Sequence, residues 1–309
     1  MKKINLVIFG CRDNTLEFIK TLDKSKYIIK KIVTINYNCA KKNNVSGYKK
    51  LNNSTNSKNL LTSRKYNLSD KKIINFFKKK NFDIGISIGW QRIIPKTILS
   101  RFRHGIFGMH CSYLRLPNGK GRSPINWSVI NGYNYLYAQI FKYTDKYDEG
   151  PIIYYEKIGI NQFENISEIQ KKLALFFSSF LNLKYKLSDK IKIAKPRNII
   201  TKNVEFRKRN KDSGLINLTQ YSAKSLCDFV RAQSYPYPGA FFLLNKKKFI
   251  IDECKIFHTE GKFKLIRKKY HIFDDGTILF KLKKDYILIT KHRIKKKYLK
   301  DEHFNKIFL

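Results

Sequence analysis

The chain has 309 residues and is 42% hydrophobic and 14% aromatic, enough for packed cores in two domains or one large one. Lys and Arg number 64 against 23 Asp and Glu, a formal net charge of +41, and the five cysteines are odd in number and scattered. No apolar run approaches the ~18–20 residues that span a bilayer. The cysteines imply neither a disulfide framework nor a metal site, so a reduced, cytoplasmic protein without membrane insertion is expected.

The N-terminal apolar run 4–10 reads as a buried strand rather than a signal peptide, because it leads into Arg12-Asp13-Asn14 without a small-residue cleavage site. A helix over 15–22 and a β-rich run over 28–35 follow. This strand–helix–strand opening predicts a parallel α/β sheet. Residues 36–63 are polar and read as loop. Ser69-Asp70 can cap a helix over 71–80. Residues 82–89 form another buried strand, with Trp90-Gln91-Arg92 just past its end, and Pro95 opens a short helix. The next strand is 106–110. Pro124 suits the first position of a helix to 129, with Ser123 as its cap. Strands over 135–143 and 152–160 and an amphipathic helix over 167–187 complete an N-terminal block, 1–189. Residues 190–208 are basic and aperiodic and read as a linker. Beyond it, 209–309 holds one helix within 217–232. Short strands are expected at 241–244, 249–256, 262–267, 278–283 and 286–290, a small all-β, OB-like domain.

The chemistry gathers around His110. An imidazole exchanges protons near pH 7, and strand ends are where open α/β sheets bind ligands. Isolated histidines are more often core or surface, and His104, His258, His271, His292 and His303 lack this setting. After His110 come Ser112, then Leu116-Pro117-Asn118-Gly119-Lys120-Gly121-Arg122, a bendable and basic loop. The planar fork of Arg122 suits phosphate or carboxylate. Asp148 lies in the turn 144–150. Asp and Gly are ordinary turn residues, but a carboxylate there is also expected to raise the pKa of His110 and fix its tautomer. Residues 118–121 lack the G-K-[ST] of a P-loop, and Gly10-Cys11-Arg12 lacks G-x-G-x-x-G, so neither phosphate motif applies.

Taken in order, the 87–95 segment, the His-x-Ser … Leu-Pro … Gly-x-x-Pro loop and the Asp-x-Gly turn resemble the folate-dependent formyltransferases. That family includes methionyl-tRNA formyltransferase and the amino-sugar N-formyltransferases. The run from Val230-Arg231-Ala232 to Tyr235-Pro236-Tyr237-Pro238-Gly239-Ala240-Phe241 resembles the junction of the C-terminal domain, in the version found in the enzyme that formylates UDP-linked aminoarabinose. The resemblance implies a Rossmann-like, mostly parallel sheet, N10-formyltetrahydrofolate as co-substrate, and no metal. It makes His110 the catalytic histidine and Asp148 its partner. The pterin would lie near Trp90, Gln91, Ile93 and Ile94 and near Thr144, Asp145 and Tyr147. Arg122 would contact the folate, flanked by Ser112, Leu116 and Pro117. The family carries an asparagine two residues before the histidine, and this chain has Gly108 there. Its His loop is also about two residues longer than the common form.

Three functions compete. The first is N-formylation of a nucleotide-linked amino sugar, which the Tyr-Pro-Gly-Ala-Phe turn and the lengthened loop favour. The second is formylation of methionyl-tRNA, which the net charge favours. The third is a non-catalytic folate- or RNA-binding relative, for which Gly108 is the argument. The charge also has a plainer reading. A/T-rich codons enrich Lys, Asn, Ile, Tyr and Phe together, and the lysine clusters are spread along the chain rather than gathered. The oligomeric state stays open.

Overall fold

A computed structural model describes residues 3–51, 57–186, 204–210, 212–217, 220–244, 247–258, 270–282 and 285–294. In chain order the elements are β1 Ile4–Phe9, α1 Asp13–Thr21, β2 Tyr27–Ile35, α2 Tyr37–Lys42, β3 Leu60–Ser63, α3 Lys71–Lys78, β4 Ile84–Ser87, α4 Lys96–Leu99 and β5 Ile106–Ser112. They continue with β6 Lys120–Gly121, α5 Pro124–Ile130, β7 Tyr135–Lys142, β8 Ile152–Gly159, α6 Ile166–Ser179, β9 Glu205–Phe206, α7 Ala223–Gln233, β10 Ala240–Leu244, β11 Lys247–Phe257, β12 Tyr270–Ile272, β13 Ile278–Lys281 and β14 Tyr286–His292. They form two compact units. One comprises 1–120, 136–158 and 168–205, and the other 121–135, 159–167 and 206–309. The expected block 1–189 therefore gives the segments 121–135 and 159–167 to the second unit.

The first unit is built on a seven-stranded sheet in the order β3-β2-β1-β4-β5-β7-β8. Neighbours from β3 to β5 are parallel, and β7 runs antiparallel to β5. Strand order reverses beside β1, the position at which open α/β sheets take ligands outside the strands' carboxyl ends. Side chains alternate between faces along each strand. Leu6, Ile8, Ile84, Ile86, Phe107 and Ile140 pack with Leu16 and Phe18 of α1 and Ala174 and Phe177 of α6. Val7, Phe9, Val33, Ile35 and Ile106 pack with Ile73 and Phe77 of α3 and Ile98 of α4.

Local chemistry sets the ends of these elements. The Asp70 side chain accepts from Lys72 N and caps α3, as the sequence predicts. Ser123 does not cap α5. Its φ of 58° is left-handed and its side chain makes no capping bond, whereas Pro124 does open the helix. The polar stretch 36–63 is not all loop. Asn36 accepts from Cys39 N to cap α2, and Leu60–Ser63 adds a parallel strand beyond β2. Four residues are too few for a period to show in sequence. The expected helix 167–187 ends as an α-helix at Ser179 and closes with a π turn over Phe180–Lys184.

In the second unit, β10-β11-β14-β13-β12 form an antiparallel sheet. Leu226, Phe229 and Val230 of α7 pack with Ile251, Ile287 and Ile289. Ser222 and Ser225 form a capping box at the start of α7. Asn126 Nδ2 donates to Ala232 O at 2.7 Å, tying α5 to α7. Arg231 bonds Asp228 and donates to the carbonyls of Asn161 and Glu164. Strand β12 was not anticipated. The expected strand at 262–267 and the linker from 190 to 203 lie outside the described residues.

Candidate active site

Strand β5 continues two residues past His110 to Ser112, so the histidine sits inside the strand rather than beyond it. Alternation puts Ile106, Gly108, His110 and Ser112 on the α3 face of the sheet. Cross-strand pairing brings Ser87 of β4 beside Gly108, and Phe141 and Gln139 of β7 beside Gly108 and His110. Gln139 is 1% exposed, and its Oε1 accepts from Leu116 N at 3.0 Å, which pins the His loop to the sheet. Sequence reasoning missed this residue, because only the β5–β7 register brings it to the site.

Asp148 reaches His110 from the β7–β8 turn, with Oδ2 3.6 Å from Nδ1. Its φ is +51°, a left-handed conformation that Asp tolerates better than most residues. Gly150 closes the turn. A Cβ there would fall 1.6 Å from Lys142 O, so no side chain fits without the backbone moving. Lys120 Nζ meets Glu149 Oε1 at 3.0 Å and clasps the end of the His loop to the Asp148 turn.

Burial and the carboxylate pull the imidazole in opposite directions. Burial lowers its pKa, whereas Asp148 and a backbone hydrogen bond with Gly119 raise it. Burial wins, because the ring is 5% exposed while Asp148 is partly solvated. The pKa therefore lies below the ordinary 6.5, not above it as the carboxylate alone suggested. A neutral His110 with Asp148 beside Nδ1 offers Nε2 as a base.

That Nε2 is buried and makes no hydrogen bond to any of the described residues. Ser87 Oγ, Trp90 Nε1 and Arg12 Nε and Nη2 share this condition. Buried polar atoms are normally paired. Here they gather just past β1 and at the carboxyl ends of β4 and β5, on the binding edge of the sheet. Arg12, only 7% exposed, carried no motif in the sequence.

The other expected residues divide. Trp90 and Ile94 belong to the apolar core of the α3 face, and Trp90 stands edge-on to Tyr66 at 4.9 Å. Gln91 is exposed, with its N donating to the Tyr66 hydroxyl, and Ile93 is 49% exposed. Ser112 is fully buried and spends its hydroxyl on the Leu114 backbone. Leu116 packs with Phe141 and Ile152, and Pro117 is exposed after a cis peptide. Thr144 turns its hydroxyl onto the Lys146 backbone, Asp145 is exposed, and the Tyr147 hydroxyl donates to Glu205. Arg122 is exposed, belongs to the second unit, and is anchored there by its N donating to Phe206 O. The Asn126 amide, near His110 in sequence, is committed to Ala232. Among the described residues no cluster of His, Cys, Asp and Glu could hold a metal ion.

A doubly wound sheet with a buried histidine beside a partly exposed aspartate at its ligand edge, and a separate antiparallel β unit, is the architecture of the formyltransferase fold. Residues 2–181 match the formyl transferase family, and residues 208–308 match its C-terminal domain. The chain belongs to the formyl transferase family. It is 33% identical over 190 residues to the bifunctional polymyxin resistance protein ArnA of Wigglesworthia glossinidia brevipalpis, covering 62% of this chain but 29% of that longer protein. It is 26% identical over 286 residues to the methionyl-tRNA formyltransferase of Flavobacterium johnsoniae, covering 90% and 85% of the two chains. In structure it resembles WlaRD, a sugar 3N-formyltransferase crystallised in the presence of dTDP and 5-N-formyl-THF. The TM-score is 0.60 at 18% identity, with 96% of this chain and all of that one covered.

Proposed function

We propose that this chain moves a formyl group from N10-formyltetrahydrofolate to the amine of a nucleotide-linked amino sugar. The observation that carries the transfer chemistry is the buried, neutral His110 with Asp148 at Nδ1 and an unpartnered Nε2. The acceptor amine adds to the formyl carbon. His110 Nε2 takes the ammonium proton and returns it to N10 as the C–N10 bond breaks. Asp148 holds the ring in the tautomer that leaves Nε2 without a proton. Gln91, Ile93 and the 144–148 turn offer exposed surface for the pterin. In this reading residues 1–189 carry the transfer, 209–309 form the accessory domain, and the compartment is the cytoplasm.

The sugar acceptor is supported by the likeness to WlaRD, a sugar 3N-formyltransferase. A second reading, methionyl-tRNA as acceptor, is favoured by the net charge and by the coverage of a methionyl-tRNA formyltransferase. A panel of UDP- and dTDP-linked amino sugars and charged initiator tRNA, assayed across a salt series, separates them. Neutralising about six phosphates of a tRNA costs ~10³-fold or more in affinity between roughly 50 and 200 mM salt. A sugar nucleotide carries only a diphosphate and should show a shallow dependence. Formylation of a sugar nucleotide with shallow salt dependence is the expected result. Tight, initiator-selective tRNA binding at physiological salt, with formylation of the charged tRNA, would replace the first reading by the second.

A further inference from the structure

Gly108 precedes His110 by two residues on β5, so a side chain there would share the imidazole's face of the sheet. The space it would need is already filled. A Cβ at 108 would fall 2.4 Å from Tyr143 Cε2, 2.9 Å from Cζ and 3.0 Å from Oη. Tyr143 follows β7. Its N donates to Ile106 O at 2.7 Å, which fixes it alongside β5, and its ring packs on Phe141 with centroids 5.2 Å apart. The ring edge and phenol oxygen of Tyr143 therefore fill the space that a side chain at 108 would enter.

Other groups converge on the same spot. Ser87 pairs with Gly108 across β4 and β5, and its buried Oγ stands near the Tyr143 hydroxyl without a well-aligned hydrogen bond. His110 Nε2, one pleat further along, is also unpartnered. Burial pushes the Tyr143 pKa up to about 12, with the Asp148 charge adding to the rise and the Ser87 hydroxyl pulling the other way. The phenol keeps its proton at neutral pH and is a donor there.

We propose that Tyr143 Oη is the hydrogen-bond donor to the formyl oxygen, in the place that no side chain at Gly108 can occupy. The inference rests on the formyl-transfer reading above. As the amine–carbon bond forms, the carbonyl π pair moves onto oxygen. Tyr143 stabilises that oxyanion by a hydrogen bond and keeps its own proton. The pair then returns, the C–N10 bond breaks, and His110 carries the amine proton to N10. Chemistry of this kind gains most from a donor fixed in place before charge develops.

The test separates hydrogen bonding from mere space filling. Tyr143→Phe keeps the ring and removes the hydroxyl. We expect it to lower kcat by about 10²–10³-fold while the KM for N10-formyltetrahydrofolate stays near wild type. Infrared spectra of bound 10-formyl-5,8-dideazafolate, labelled with carbon-13 in the formyl group, give a readout independent of the acceptor. The carbonyl stretch should lie at higher wavenumber in Tyr143→Phe than in wild type. The double variant Gly108→Asn/Tyr143→Ala, in which an amide can enter the emptied space, should be faster than Tyr143→Ala alone. It also carries the comparison if Tyr143→Phe folds poorly. An unchanged stretch, or a wild-type kcat in Tyr143→Phe, overturns the proposal. If His110→Ala also transfers at the wild-type rate, the site reading itself is wrong. If His110→Ala is inactive and Tyr143→Phe is not, only the role of Tyr143 falls.

Discussion

The two faces of the seven-stranded sheet are built from the same strands yet serve different ends. Along β5, Phe107 faces the α1–α6 side and joins a continuous apolar cluster with Ile8, Ile86 and Phe177. Gly108 and His110, one residue over, face the α3 side. There the apolar packing of Phe9 and Phe77 gives way toward the strand ends to Ser87, His110 and Gln139. The first face is dominated by apolar packing, although Thr34 Oγ1 of β2 is buried and unpaired there. The second leaves buried polar atoms unpaired on His110, Ser87, Trp90 and Arg12. Unpaired buried polar groups destabilise a fold, so four such residues at one edge of the second face point to a demand from binding rather than folding. Substitutions on the two faces should accordingly move different observables.

The largest effect is expected from His110→Ala. Loss of a positioned acid–base group costs about 10²–10⁴-fold in rate, with folate affinity and melting temperature little changed. A stability loss with an intact rate per folded molecule would erase the contrast between the faces. Phe177→Ala on the other face should do the opposite. Removing a fully buried ring that packs 5.5 Å from Phe18 should cost about 3–5 kcal/mol of stability, with kcat per folded molecule near wild type. Denaturant titration beside steady-state kinetics checks this.

Gly150→Ala sharpens the comparison by acting on both observables. Its Cβ would collide with Lys142 O, so the Asp148 turn must shift. A stability loss of about 1–3 kcal/mol should accompany a lower rate. A neutral result would show that the turn does not need its tight closure.

The smallest effect is a shift in pH. Asp148 pushes the His110 pKa up against burial, so Asp148→Asn should move the acid limb of kcat/KM to lower pH and lower the rate. An unmoved profile would make Asp148 a turn residue only. The same imbalance has a consequence for stability. The folded-state pKa of His110 lies below the ordinary 6.5. Folding is therefore unpenalised by this residue above pH 6.5, and loses stability as pH falls from there toward the folded-state value.

Much of this architecture is legible in the sequence because apolar runs and caps act locally. β1, β2, β4 and β5 announce themselves as buried runs, Asp70 as a cap and Pro124 as a helix start. His110 and Asp148 were legible through motif and setting, and the structure brings them within 3.6 Å. What failed depends on distant partners. The β3 strand is four residues whose only reason to extend is the edge of β2. Trp90 and Ile94 follow a strand end and were expected at the surface of a ligand site, and the packing of that face buries most of both side chains. Arg122 stands near His110 in sequence, yet its segment belongs to the second unit. Tyr143 lay in full view as the last residue of an expected strand. Its meaning depends on the β5–β7 register, which no local pattern encodes.

The transfer chemistry turns on one property, a buried imidazole kept neutral with its Nε2 available. Nitrogen-15 NMR of the histidine-labelled protein, with His110 assigned by its absence in His110→Ala, measures it directly. The expected result is a neutral ring at pH 7 that titrates below 6.5, and further below in Asp148→Asn. A His110 that is protonated at pH 7, or whose titration does not respond to Asp148→Asn, would contradict it.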